Sequence, residues 1–212
     1  MRDLPLVLLT ATISAYWIGV GVMIVRVRRA TRRSVERSEQ SVERLKERPG
    51  FMWMIWVPLI VAWIALPYLA LSRTSGMFAL PTFATSDAIY ATLRYVAALL
   101  GLACLAATAR CWLRMGRNWR MDVSVATKTE LITDGPFRHI RHPIYAFQIL
   151  LMLCSAAIVP TLPMLVVAAI HVVLMNVKAR SEERHLRSCH GDAYERYVER
   201  TGRFLPRFGP DG

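Results

Sequence analysis

Four long apolar blocks divide the chain, and arginine-rich stretches separate them. The hydrocarbon core of a bilayer, about 30 Å thick, needs roughly 20 helical residues. Leu4–Val25 and Phe51–Leu71 reach that length with no charged side chain inside. Ala88–Leu113 reaches it with Arg94 and Arg110 towards its two ends, where long side chains are expected to snorkel to the interfaces. The last block, Ile144–Val177, is too long for one straight crossing, and Pro160-Thr161-Leu162-Pro163 interrupts it. Proline cannot continue a helix, so this block predicts a tight hairpin of two shorter helices. The pattern predicts an all-α fold: a polytopic membrane helix bundle of about five transmembrane helices, with a cytoplasmic helical segment at the carboxyl end.

Charge orients the predicted spans. The chain of 212 residues is 54% hydrophobic yet carries a formal charge of +12, with a mean hydropathy of +0.32. Arg26–Arg48 holds nine Lys/Arg and four Glu, Arg114–His142 six Lys/Arg, and the tail from Lys178 eight. Short loops rich in Lys and Arg stay in the cytoplasm, so all three segments are expected there, with the amino terminus outside and the carboxyl tail inside. An odd number of spans requires the same. Residues 1–113 then form three spans with a basic loop over 26–50, and residues 114–212 hold the hairpin 143–177 and the tail.

Other readings of these features are weaker. The basic residues flank apolar spans and alternate with Glu over Ser34–Glu47, which suits a helix lying on anionic lipid; no nucleic-acid partner is expected. Leu4–Val25 is longer than the apolar core of a cleaved signal peptide, and an arginine cluster follows it, so it reads as an anchor. Cys104, Cys111, Cys154 and Cys189 include no close pair of metal-ligand spacing, so neither a metal site nor a disulfide framework is expected.

Candidate chemistry begins after the third span. Asn118-Trp119-Arg120 precedes Glu130-Leu131-Ile132-Thr133-Asp134-Gly135-Pro136-Phe137-Arg138-His139-Ile140-Arg141-His142-Pro143-Ile144-Tyr145. Asp134-Gly135-Pro136 is a turn signal, and Pro143 suits the first position of the fourth span, where its missing N–H costs nothing. Arg138, Arg141 and His142 thus gather at a helix start beside Phe137 and Tyr145. Anchoring to lipid headgroups accounts equally well for that composition. After the fifth span come Lys178, Arg180, Glu182 and Glu183, on the extension of a helix leaving the bilayer. Antiparallel packing of the hairpin would return the two glutamates to His142 and Tyr145. A local account is that the glutamate pair merely balances neighbouring arginines such as Arg180, Arg184 and, at i,i+4 spacing from Glu183, Arg187. In the tail, Tyr194, Tyr197 and Val198 form an apolar stripe expected to pack on the cytoplasmic ends of the spans.

In order and spacing, Gly135-Pro136-Phe137-Arg138 with Arg141-His142-Pro143-Ile144-Tyr145, the hairpin, Glu182-Glu183, Gly191-x-x-Tyr194-x-x-Tyr197 and Arg203-Phe204-x-Pro206 resemble the isoprenylcysteine carboxyl methyltransferase family. More broadly they are similar to the membrane methyltransferases that include bacterial phospholipid N-methyltransferases. The resemblance covers about the last hundred residues and is that of a prokaryotic member, expected in a bacterial inner membrane. It implies S-adenosylmethionine as cofactor, leaving as S-adenosylhomocysteine, and a lipophilic acceptor entering from the bilayer. It implies cofactor contacts at Leu131, Ile132, Phe137, His142, Pro143, Ile144, Tyr145 and Glu182, with phenylalanine at 137 where tyrosine is usual, and Arg141 is a further candidate as a donor to the cofactor carboxylate. It implies a substrate-orienting basic residue at Lys178, with Arg180 nearby, and on chemical grounds Glu183 joins them as a catalytic candidate. Lysine at 178 stands where the prenylcysteine enzymes have arginine, which weakens the case for their substrate because lysine lacks the two-pronged guanidinium.

The residue types suit that ligand. A cationic sulfonium asks for a nearby acid, its carboxylate for donors, and its adenine for apolar or aromatic walls. Methyl transfer is an in-line displacement, accelerated mostly by alignment in a water-poor site. A carboxylate or thiolate acceptor would need only orientation by Lys178 or Arg180, whereas an amine would also need a base such as Glu183 or His139. Two other functions fit parts of the pattern: a membrane sterol-type reductase using NADPH, and a non-catalytic scaffold or transporter. His171, inside the fifth span, reads either as functional or as a neutral histidine bonded to a neighbouring helix. The acceptor and the oligomeric state are open.

Overall fold

The computed structural model describes residues 3–35, 51–72, 75–116 and 131–207, with side chains left out at 30–35 and 51–53. Asn118-Trp119-Arg120, Glu130, most of the 26–50 loop and the helix expected over Ser34–Glu47 beyond Val35 lie outside the described residues. Among the described residues there are seven α-helices and no strand: α1 Leu4–Val35, α2 Phe51–Ser72, α3 Phe83–Ser86, α4 Ala88–Met115, α5 Pro143–Ile158, α6 Leu162–His190 and α7 Asp192–Arg200, with a 3-10 turn at Gly135–Arg138. The all-α helix bundle read from the apolar pattern is thus present.

Helices α1, α2, α4 and α6 are long and apolar enough to cross a membrane. At 16 residues, α5 is about 24 Å long, shorter than a full hydrocarbon core. The chain is an integral membrane protein with four to five apolar helices. The hairpin breaks where its prolines predict, between Ile158 and Leu162. By contrast, Pro58 and Pro67 both lie inside α2, as membrane helices tolerate where neighbours re-satisfy the backbone.

The chain divides into two compact units. The first comprises Met1–Ile18, Pro49–Ala107 and Phe147–Leu174. An aromatic layer crosses its interior: the Trp63 ring lies 6.0 Å from Trp17, 6.2 Å from Tyr16 and 5.2 Å from His171. Trp63 donates its indole N–H to Ser155 Oγ at 3.0 Å, and Ser155 donates onward to the Leu151 carbonyl at 2.8 Å. His171 is buried against Trp63, but its Nε2 has no hydrogen-bond partner among the described residues. That nitrogen does not make the interhelical bond that one reading of His171 required.

Arg94 departs from expectation more sharply. It does not snorkel; its side chain is 4% exposed and pairs with Asp3 at 2.6 Å. It also donates to the carbonyls of Ala84 and Ile158 at 3.1 and 3.0 Å. Guanidinium has five donors and buries tolerably only when partners are supplied. Here Asp3, far away in sequence, supplies the charge. Arg110 is exposed, as a snorkelling arginine should be.

The second unit comprises Gly19–Arg48, Thr108–Ala146 and Met175–Gly212. Within it the beginning of α5, the latter part of α6 and α7 hold the polar clusters. Gly191, at φ +50, takes the left-handed turn from α6 into α7 that other residues resist. A parallel bridge then joins Ile140 and Gly202. Around it, Arg141 N–H donates to the Gly202 carbonyl at 2.8 Å, His142 N–H to that of Arg203 at 3.1 Å, and Gly202 N–H to that of His139 at 3.3 Å. Gly202 is required there because a Cβ would meet the Leu205 carbonyl oxygen at 1.7 Å. The tail is thereby strapped to the segment that leads into α5.

Replacing Arg94 by methionine strands the Asp3 carboxylate, which is itself partly exposed. A loss of about 2–3 kcal/mol is expected on that ground. Thermal unfolding in detergent measures it, and adding Asp3→Asn should restore part of the loss; an unchanged midpoint in Arg94→Met would show that the pair is not structural.

Candidate active site

Local sequence explains how the polar groups are presented. His142 caps α5: its carbonyl accepts from Ala146 N–H at 3.0 Å, and Pro143 follows at the first helical position, as its fixed φ favours. On α6, Met175, Ala179 and Glu183 are four residues apart and are 0%, 0% and 1% exposed. They form one inward stripe, with small Ala179 below the carboxylate. Lys178 and Glu182, also one turn apart, share the neighbouring face. The apolar run of the helix ends at Val177, so these groups follow the stretch that the sequence reads as a span.

Glu183 occupies the centre. Its Oε1 accepts from Arg141 Nε at 3.2 Å and from Arg203 Nε at 3.0 Å, and its Oε2 from Arg203 Nη2 at 2.6 Å. Arg141 also donates to the carbonyls of Val198, at 3.2 Å, and Thr201. The local alternative fails: Glu183 does not pair with Arg187, which instead bonds Glu195 at 2.9 Å and lies 5.8 Å above the Tyr194 ring. The long-range guanidiniums win because they meet the carboxylate where water is excluded, and an exposed i,i+4 pair contributes only a few tenths of a kcal/mol.

Glu182 turns the other way. Its Oε1 accepts the Tyr145 hydroxyl, and its Oε2 lies 3.5 Å from His142 Nδ1. The Glu182 side chain is 22% exposed against 2% for Glu183. The His142 and Tyr145 rings stack at 5.4 Å and 7°, Phe204 packs 6.3 Å from His142, and Lys178 Nζ stands 5.5 Å over the Tyr145 ring.

These contacts move the titrations. Burial alone would hold His142 neutral, but hydrogen bonding and attraction from Glu182 and Glu183 more than offset it, and its pKa is raised. Burial likewise opposes ionisation of both glutamates. His142, Lys178 and Tyr145 nevertheless lower Glu182, and His142, Arg203 and Arg141 hold Glu183 far below the usual carboxylate range. The Tyr197 phenol, which donates to the Phe137 carbonyl at 2.6 Å, is pushed up to about 12 by burial.

Arg141, His142, Tyr145, Lys178, Glu182 and Glu183 therefore meet in one cluster. Pro143 and the Phe137 ring are buried beside its supports, and Ile144 is half-buried. Leu131 and Ile132 are half-buried in a stretch that is neither helix nor strand, with no hydrogen bond or ring contact to the cluster among the described residues. Arg180 is exposed. The contacts of Arg203 with Glu183 and of Phe204 with His142 depend on the bridge at Gly202, which leaves no local signature in the sequence.

Residues 99–188 match the isoprenylcysteine carboxyl methyltransferase (ICMT) family. That segment holds all six cluster residues and the Gly135–Tyr145 and Glu182-Glu183 parts of the resemblance, while the Gly191–Tyr197 and Arg203–Pro206 parts lie beyond it. The chain is also 30% identical over 94 residues to the nickel-cobalt-cadmium resistance protein NccN of Alcaligenes xylosoxydans xylosoxydans. It is 34% identical over 95 residues to the cobalt-zinc-cadmium resistance protein CzcN of Cupriavidus metallidurans. Each match spans 44% of this chain and 44% of the relative.

The titrations give the cluster a definite pH dependence. Carboxylates with lowered pKa stabilise the fold above the unfolded value near 4.5 and lose that contribution as pH falls through their folded values. His142, raised above 6.5, contributes fully below 6.5 and loses it as pH rises through its folded value. Thermal midpoints in detergent should therefore be highest between about pH 4.5 and 6.5 and decline above it, and the decline should flatten in His142→Asn. A decline of equal slope in that variant would assign it to other groups.

Proposed function

We propose that this chain is an S-adenosylmethionine-dependent methyltransferase acting on a lipophilic acceptor at the cytoplasmic membrane face. The observation that carries the reading is the union of Tyr145, His142 and Glu182 within the segment that matches the ICMT family. Its residues fit the cofactor chemically. Glu183 is consumed by two guanidiniums, so Glu182, ionised and partly exposed, is the acid left for a cationic ligand. The stacked His142 and Tyr145 rings, with Pro143, Ile144, Phe137, Leu131 and Ile132, offer apolar and aromatic surface to adenine. When bound, S-adenosylmethionine supplies a methyl group on a positively charged sulfur and leaves as S-adenosylhomocysteine.

Roles follow from the contacts. Lys178, buried over Tyr145, suits orientation of an anionic acceptor better than exposed Arg180. Glu183, doubly paired, is a positioning residue in this reading and no base. Arg141 is likewise committed to Glu183 and the tail. The acceptor belongs to the membrane phase, and a bacterial inner membrane with the amino terminus outside suits the charge distribution. The names of both relatives favour a second, compatible reading, in which the chain serves during exposure to toxic divalent metals.

Equilibrium binding of radiolabelled S-adenosylmethionine to the full chain in detergent tests the first reading. Saturable binding is expected, with at least about a tenfold loss in Glu182→Gln from a removed charged contact and a smaller loss in Tyr145→Phe. NADPH binding in its place would favour the reductase, and binding of neither a scaffold or transporter. Labelled methyl transfer to a lipid extract, read by mass spectrometry, identifies the acceptor.

A further inference from the structure

His142 stands between two carboxylates of unequal commitment. Its Nδ1 lies 3.5 Å from Glu182 Oε2 and its Nε2 3.5 Å from Glu183 Oε1. At the entrance of α5, Tyr145 stacks on the ring and Arg141 reaches Glu183; from α6, Lys178 acts on Glu182; from the tail, Arg203 pairs with Glu183 and Phe204 packs near the ring. Set against the two glutamates are therefore Arg141, Arg203 and Lys178, before the imidazole is charged at all. A further cation brought to Glu182 meets surplus positive charge, and the loss of one proton relieves it. A guanidinium stays charged at every physiological pH, whereas an imidazole ordinarily titrates between about pH 5 and 8. Burial opposes the charged ring, yet the two glutamates outweigh it and raise its pKa. The ring is thus the group placed to hold a proton when the site is free and to yield it to a cation.

We propose that His142 makes the site distinguish the charged methyl donor from its uncharged product. Glu182 exchanges the Nδ1 proton, which passes to solvent, for the positive sulfur of S-adenosylmethionine. The proton on Nε2 stays towards Glu183, so the neutral ring keeps its stack on Tyr145. In the transfer, the acceptor's electron pair makes the new bond to the methyl carbon, and the sulfur keeps the pair of the bond that breaks. Glu182 then faces a neutral thioether. His142 takes a proton from solvent at Nδ1 and pairs with the carboxylate again, which favours departure of the product. Proton and cation weaken each other's binding equally, as linkage requires. This role for His142 rests on the methyltransferase reading, which supplies the ligand.

Calorimetric binding of S-adenosylmethionine and S-adenosylhomocysteine to the full chain in detergent tests it, with each titration repeated in buffers of different ionisation heat. The two ligands carry the same amino and carboxylate groups, so their difference isolates the charge on sulfur. S-adenosylmethionine should release a proton on binding, approaching about one per site while the ring is protonated, and S-adenosylhomocysteine none. The preference for the donor should accordingly rise about tenfold per pH unit until the ring is neutral. In His142→Gln both the release and the pH slope should vanish, whatever binding remains. If that variant fails to fold, the comparison of the two ligands in the unmodified chain still decides. Equal proton release with both ligands, release with neither, or a slope that persists in His142→Gln overturns the role of His142 while leaving the cofactor in place. Absence of saturable S-adenosylmethionine binding at every pH overturns the methyltransferase reading, and this role with it.

Discussion

The buried carboxylate of Glu183, shared by Arg141 and Arg203, is the constraint on which the second unit depends. Taking a carboxylate out of water costs several kcal/mol, and one partner seldom offsets that cost. Two guanidiniums do so, and they come from segments 42 residues before and 20 residues after the acid. Neither arginine can reach it unless the entrance to α5 and the tail are both held against α6. The bridge at Ile140 and Gly202 and the carbonyls of Val198 and Thr201 complete that arrangement. Electrostatics here selects one chain path more than it adds stability, because an uncompensated charge penalises every other path.

Adjacent residues on a helix point about 100° apart. Once Glu183 faces inward along the stripe of Met175 and Ala179, Glu182 must face elsewhere, and it meets Tyr145 and His142. The paired glutamates therefore divide the labour. One is enclosed by two guanidiniums, while the other meets Tyr145 and His142 and feels the attraction of Lys178. The same geometry separates Lys178 from Arg180: two residues apart is about 200° around the helix, so only Lys178 shares the face of Glu182.

Sequence exposed what is local. Apolar runs, their lengths and the proline break set the helices because each is decided within about 20 residues. The capping of α5 by His142-Pro143 was legible for the same reason. What sequence hid is set by distant partners. Arg94 reads as a snorkelling side chain until Asp3 lies beside it, and Glu183 reads as half of an i,i+4 pair until Arg203 arrives from the tail. Counting along the chain gave Arg180 the same standing as Lys178, since spacing without orientation cannot separate them.

His142 shows how the two glutamates remain coupled despite their different roles. Its ring lies 3.5 Å from each carboxylate, with Nδ1 towards Glu182 and Nε2 towards Glu183. The guanidiniums of Arg141 and Arg203 occupy the oxygens of Glu183, whereas those of Glu182 face Tyr145 and His142. A protonated imidazole and a cationic ligand are therefore alternative partners for the same carboxylate. The neutral ring, by contrast, keeps its stack on Tyr145 and its flat surface. Whatever binds at Glu182 with positive charge must favour the deprotonated histidine, by the reciprocity that links any two ligands of one site. The Glu183 pairings keep the histidine within reach of that exchange by fixing the backbone that carries it.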